Sequence, residues 1–552
     1  MDSLVLLAAS LVEGYLLQHS LLPDWAFRSV TLLALAGNLI LRFVWGFIIY
    51  PYFVNPLRHL PTLPGNLNHA RVLFDDPRGR LPLQWMKSIP NNGLIHFRDI
   101  LNRSFLIATS HQALLDIMST NTYDFEKPWR TREFLARIIG FGLILSEGSA
   151  HKKQRRALTP SFNVRHIRAL YALMWEKTGL LMDELQKEMD ANDSCVEMSV
   201  WASRLTLDII GPAAMGRDFR SLHNPENKVA DSFLAILEPT REKIAFLAVN
   251  VLLPQWFARK LPWRMNKVID TETGFLRDLC KDIVAEKRAA MLQTKATAAE
   301  LEADILGTMM LGGDFSDDEL VDQMLTFLAA GVCFNPTTTL IPVLNRRQHE
   351  TTASAFTWAC YLLTLHPTYQ PRLRDEIRSR ISTGSSPITH ADLESLPLLN
   401  GIVQEVLRLY PTVPLTLRES IRDTTVANTA IPKGTRILLC PYAINRSPEF
   451  WGEDADVFRP ERWVDTDKEG NQVVNGHGGA GTNYAQITFL HGQRACIGKD
   501  FAKAELRCAL AGVLGRYEVE MKDPNQVIHI AGAVTTKPVE GMHLRMRRVE
   551  GW

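Results

Sequence analysis

Phe489-Leu490-His491-Gly492-Gln493-Arg494-Ala495-Cys496-Ile497-Gly498 sets one cysteine between two glycines, ahead of a stretch with helical apolar spacing at Phe501, Ala504, Leu506, Leu510, Val513 and Leu514. A cysteine that ligates a metal does so as the thiolate, which needs backbone N–H groups or a helix N-terminus to hold its charge. Both are supplied here. Gly492 and Gly498 permit a tight turn with close backbone approach to a flat macrocycle. Arg494 can point away from the sulfur and pair with an anionic group, and Phe489 can shield the sulfur from water. A free thiol in a glycine-containing loop is the commoner fate of a lone cysteine. It would not call for five fixed positions in ten residues, and the pattern points to Cys496 as an axial ligand of haem iron.

The ten residues resemble F-x-x-G-x-R-x-C-x-G of the cytochrome P450 superfamily, with a match at every fixed position. The resemblance implies a mainly α fold with small β-sheets, in which haem b lies between a long central helix and the proximal cysteine loop and helix. In that fold Cys496 holds the iron and Arg494 a propionate. Glu405 and Arg408, three apart and so on one helix face, resemble the family's E-x-x-R helix. Pro460-Glu461-Arg462-Trp463 resembles its P-E-R segment, and both are assigned a structural role around the haem. Glu147-Gly-Ser-Ala-His151-Lys-Lys-Gln-Arg155-Arg156 resembles the W-x-x-x-R helix, with His151 in place of the tryptophan. Arg155 would bond a propionate with His151 as a second donor, and Arg418 occupies another propionate-binding position. Val413, Leu415, Thr416 and Leu417 would line the substrate side.

The family's central helix carries A-G-x-[DE]-T-[TS], whose acidic residue and threonine manage protons for oxygen activation. Here the motif is split. Ala330-Gly331 ends the first half and His349-Glu350-Thr351-Thr352 resumes it, so Glu350 and Thr351 are the expected catalytic pair. The 17 residues from Val332 to Gln348 contain Pro336 and Pro342, each costing about 3 kcal/mol inside a helix. Val332-Cys333 can be encoded GTATGT, Gln348 CAG, and Leu344-Asn345 CTTAAC, which match donor, acceptor and branch signals of a short fungal-type intron that keeps the frame. Residues 332–348 are therefore read as a translated retained intron, against the alternative of a true loop insertion.

Length and composition are those of a large globular protein: 552 residues, 46% hydrophobic and 22% charged. A formal net charge of +1 gives no argument for nucleic acid. The seven cysteines are scattered without C-x-x-C spacing, which suggests neither a disulfide framework nor a zinc site. The N-terminus departs from the average. Ser29 to Tyr50 is long enough to cross a bilayer, while Ser3 to Leu22 is a weaker candidate interrupted by Glu13, Gln18 and His19. The expected organisation is a membrane anchor over residues 1–50 with one or two spans, a proline-rich hinge over 51–65, and a haem-thiolate catalytic domain over 66–552. Arg58 and Arg71 favour a cytosolic catalytic domain, and the resemblance implies the endoplasmic reticulum membrane.

The resemblance implies a monooxygenase that inserts one oxygen atom of dioxygen into a lipophilic small molecule, such as a fungal terpenoid or polyketide intermediate. Electrons would come from a membrane-bound NADPH-dependent reductase, whose flavins and NADPH lie outside this chain. Lys152, Lys153, Arg156 and Lys499 could present it a basic surface, and Ile244 to Trp256 could dip into the membrane interface. The alternatives are a haem-thiolate isomerase, dehydratase or peroxygenase, and a non-catalytic haem-binding form disabled by the insert.

Overall fold

Two helices with apolar residues on nearly every side, Thr351–Leu365 and Lys499–Arg516, are buried through most of their length, as such a pattern requires. They form the centre of the computed structural model, which describes residues 2–73, 75–99, 102–224, 227–237, 242, 246, 249–250, 253–293, 304–332, 351–382, 387–531 and 535–552. The elements that position the site are, in chain order, α1 (Asp2–Ser20), α2 (Phe27–Val44), β1 (Leu94–Arg98), β2 (Ser104–Ala108), β3 (Phe125–Glu126) and α3 (Gly148–Leu158). Next come α4 (Tyr171–Ala191), α5 (Met198–Ile210), α6 (Arg264–Gln293), α7 (Asp317–Val332), α8 (Thr351–Leu365) and α9 (Pro397–Leu409). The last are β4 (Thr416–Ser420), β5 (Arg436–Leu439) and α10 (Lys499–Arg516).

The main core joins α4, α5, α8, α9 and α10. Trp358 of α8 is fully buried and stacks on Tyr410 with ring centroids 4.6 Å apart. Beside this helical layer lies a five-stranded sheet of order β1-β2-β5-β4-β3, in which only the β2–β5 pair is parallel. The sheet brings Arg418 of β4 next to the segment that follows β3, which carries Lys127. Sequence periodicity predicts helix over Thr206 to Met215 and Thr271 to Met291, and strand over Thr435 to Cys440. The structure has α5 continued by a π-helical turn to Met215, α6, and β5 at those places.

Residues 51–65, expected as a hinge, are part of the domain's packing. Helix α2 continues as a π-helix through Pro51 to Val54, Leu57 is wholly buried, and Asn55 donates to Ser104 Oγ at 2.6 Å. The insert from Val332 to Gln348 lies, apart from the backbone of Val332, outside the described residues, as do His349, Glu350 and, within Ile244 to Trp256, residues 244–245, 247–248 and 251–252. Helix α7 ends at Val332 and α8 begins at Thr351, and α5 packs against both.

Candidate functional site

The cysteine loop is built as its residue types demand. Gly492 has φ +67°, and a Cβ there would stand 2.0 Å from Met118 O, so both conformation and space require glycine. Gly498 differs from the expectation. Its φ is −87° and a Cβ would meet nothing within 4 Å, so it keeps open space beside the cysteine instead of making the turn. Cys496 N–H donates to Phe489 O at 2.8 Å, closing the loop, and Phe489 packs on the main core. The Cys496 thiol lies deep in the fold yet has an open face. Burial raises its pKa, while an N–H bond from Gly498, then Arg155, act to lower it.

Beside this loop, three cations gather around one carboxylate. Arg494 is ion-paired with Glu147, and its Nη2 donates to Phe125 O at 3.3 Å. Glu147 also accepts from the Lys127 N–H at 3.0 Å, with the Lys127 ammonium 3.8 Å away. Arg418 is buried, bonded to Thr416 Oγ1 at 3.0 Å and Leu417 O at 2.8 Å along its own strand. Burial pulls the Lys127 ammonium down to about 7, with Arg418 adding to the effect and Glu147 opposing it. Burial likewise pulls the Arg418 guanidinium down to about 10, aided by Arg494. The Arg494 Nε is buried without a hydrogen-bond partner, and such a donor is costly to leave unmatched.

His151 is buried, with Nδ1 3.2 Å from Tyr123 Oη, and burial with Arg494 brings it down to about 4, so it is neutral at pH 7. Arg155 lies in the same cluster, close enough to Tyr123 and His151 to act on both, and its Nη1 donates to Ala495 O at 2.6 Å, bracing the cysteine loop. The structure thus brings Arg418, Arg494, His151 and Arg155 together with Lys127, Glu147 and Tyr123, and to these last three sequence reasoning assigned no role. Lys127 sits in no spaced motif, and its proximity to Arg418 follows only from β3–β4 pairing. A haem fits these residues. The surplus of buried positive charge matches two propionates, Arg494 Nε offers an unused donor, and Cys496 has an open face with room at Gly498 for a flat ring.

Under the loop, Glu405 is wholly buried. Its carboxylate accepts from Arg408 at 2.7 and 2.8 Å, Arg462 Nε at 3.1 Å, Trp463 Nε1 at 2.9 Å and Arg459 N at 3.0 Å. Arg408 reaches on to Asn445 O, Ala455 O and Val457 O. Glu405, Arg408 and Arg462 therefore clamp α9 to the loop of residues 445–463. A second buried carboxyl, Glu505 of α10, had no sequence signal. It hydrogen-bonds Thr352 of α8, next to Thr351, and burial, with no cation among the described residues to offset it, raises its pKa to about 8.

A family model described as cytochrome P450 matches residues 97–545. The chain is 38% identical over 532 residues to the cytochrome P450 monooxygenase sphH of Aspergillus fumigatus, covering 94% of this chain and 93% of that protein. It is 32% identical over 564 residues to the cytochrome P450 monooxygenase buaD of Petromyces alliaceus, covering 100% and 99%. Its fold is similar to the crystal structure of the cytochrome P450DA heme domain, with TM-score 0.70 and 22% identity over 89% of this chain and 98% of that one.

Proposed function

The chain belongs to the cytochrome P450 family and is a haem-type monooxygenase, and from that premise we propose that it oxygenates a lipophilic small molecule, a fungal terpenoid or polyketide intermediate, with electrons from an NADPH-dependent reductase. The observation that carries the reading is the pairing of an open-faced Cys496 with a buried surplus of cations around Glu147. In this reading Cys496 is the thiolate ligand, with Arg494, Arg418, Lys127 and His151 holding the propionates and Arg155 bracing the loop. Bound haem supplies the electron-transfer and oxygen-activating chemistry. The chain's own part is to exclude water and to deliver protons in order. Thr351 Oγ1 holds a proton at the reacting face and the Glu350 carboxylate replenishes it from solvent.

The reductase would dock where Lys152, Arg156 and Lys499 are exposed, with Lys153 alongside and paired to Glu319 at 3.5 Å. An acidic partner complements that face. Residues 1–50 would hold the domain at the endoplasmic reticulum, and α2 with its continuation, Phe27–Val54, is long and apolar enough to cross a membrane. We further propose that residues 332–348 are a translated intron. Joining Gly331 to His349 restores one helix from α7 into α8, along the same α5 surface that both halves touch.

The test is the carbon-monoxide difference spectrum of the reduced protein, with and without residues 332–348, paired with NADPH- and reductase-dependent turnover. The expected result is a thiolate-type band with turnover only in the deletion form. Turnover in both forms would make the insert a tolerated loop, and a spectrum without the thiolate-type band in either form would overturn the Cys496 assignment. Transcripts that all retain the 332–348 codons would sink the intron account.

A further inference from the structure

We infer that residues 2–44 form a two-span membrane hairpin, which places the Met1 end and the catalytic domain on the same side of the bilayer and the turn Leu21–Ala26 on the other. This rests on the reading that the chain is membrane-anchored. Helix α1 alone is a poor span because Ser10, Glu13, Gln18 and His19 interrupt it, but the structure gives each of them a hydrogen-bond partner. Asn38 of α2 donates to Glu13 Oε2 at 2.5 Å and to Ser10 Oγ at 3.1 Å. Gln18 Nε2 donates to Trp25 O at 3.1 Å, and His19 Nδ1 lies 3.1 Å from Tyr15 O. Each of these bonds lowers the cost of placing its polar groups in hydrocarbon.

The packing of the two helices is that of a membrane pair. Ser10 and Gly14, four apart on α1, are both buried; Gly14 faces Thr31 of α2, whose Val30 and Ala34 are buried as well. A Cβ at Gly14 would lie 2.5 Å from Thr31 Oγ1, so the backbones meet as closely as small residues allow. The contacts Gly14–Thr31, Ser10–Asn38 and Gln18–Trp25 run the helices antiparallel. Outward from this seam, Val5, Leu11, Val12, Leu16, Leu32, Leu33, Leu39, Ile40 and Leu41 are exposed, a surface that suits lipid tails.

The dimensions also agree. Helix α1 has 19 residues, about 28 Å at 1.5 Å each. Trp25 and Trp45, both 52% exposed, bracket about 30 Å of α2, the thickness of a hydrocarbon core with an aromatic residue at each boundary. Arg42 lies at the Trp45 boundary, where α1 begins. Just beyond it the catalytic domain takes hold: Asn102 donates to Phe47 O at 2.5 Å, Arg98 donates to Pro51 O at 3.3 Å, and the Arg98 guanidinium lies 4.2 Å over the Tyr52 ring. The domain therefore sits on the side to which α1's N-terminus returns.

The test uses the full chain in microsomes, with a spacer-flanked Asn-x-Thr glycosylation acceptor placed either ahead of Met1 or between Leu22 and Asp24. The hairpin expects glycosylation of the turn acceptor and none at the N-terminal one. Glycosylation at the N-terminal acceptor, with or without the turn, overturns it, as does none at either. Alkaline carbonate extraction separates the premise: a chain released by carbonate refutes membrane anchoring itself, whereas a retained chain with the wrong glycosylation pattern refutes only the hairpin. Asn38→Leu, which strips Glu13 and Ser10 of their shared partner, should lower the glycosylated fraction of the turn acceptor severalfold while membrane retention through α2 persists.

Discussion

Replacing Glu505 by glutamine tests whether the buried carboxyl beneath the central helix keeps its proton at neutral pH. Glu505 is 3% exposed and faces Thr352. Among the described residues no cation contributes to its environment, and its pKa moves from 4.5 to about 8. A folded-state pKa above the unfolded value stabilises the fold fully below pH 4.5, and that contribution is lost as pH rises through about 8. The shift of roughly 3.5 units is worth about 5 kcal/mol across the window, or about 1.4 kcal/mol per pH unit. Glu505→Gln holds the same volume and an N–H donor without titrating. The stability difference between variant and parent, from urea unfolding followed by circular dichroism, should therefore grow in the variant's favour by about 3 kcal/mol between pH 5 and 7.5. Other titrating groups cancel in that difference. Parallel stability profiles over this range would refute the reasoning, because they would mean that Glu505 releases its proton in the folded and unfolded chains alike.

Removing the Glu405 carboxylate by Glu405→Ala leaves Arg408 and Arg462 buried and unpaired, and should cost about 3–5 kcal/mol in chemical denaturation; a loss under about 1 kcal/mol would show that the cluster does not clamp α9. Gly492→Ala forces a φ of +67° on alanine against Met118 O, so about 1–2 kcal/mol of strain plus the clash should appear as a lower haem-to-protein ratio in purified protein. Lys127→Met removes one of the cations around Glu147, and haem transfer to an acceptor globin should quicken about tenfold, the worth of one charge-assisted hydrogen bond; an unchanged rate would remove Lys127 from the propionate set. In the form lacking residues 332–348, Thr351→Ala should release peroxide and lower the product formed per NADPH, whereas unchanged coupling would exclude Thr351 from proton delivery.

Much of the proximal side was legible because its requirements are local. A thiolate ahead of a helix, a glycine at positive φ and an i, i+3 charge pair each lie within a few residues, and the family resemblance of these short patterns carried Cys496, Gly492, Glu405 and Arg408. Gly498 was misjudged because negative and positive φ leave the same letter in a sequence. The bond donated by the Arg155 guanidinium was equally invisible, since its acceptor, Ala495 O, is a backbone atom 340 residues away.

Contiguous patterns in the chain pointed to the family, to Cys496 as the candidate metal ligand, to Glu405 and Arg408 as a structural pair, and to the split motif of the central helix. Only the tertiary structure decided which charges share a site. Lys127 meets Arg418 and Glu147 through strand pairing and loop return, Glu505 meets Thr352 through the packing of α10 on α8, and Asn38 meets Glu13 through the turn of a hairpin. The physical reason is range. A helical period or a tight turn is fixed by neighbours along the chain, whereas the desolvation and pairing of a charge depend on whatever the fold brings within a few ångströms of it.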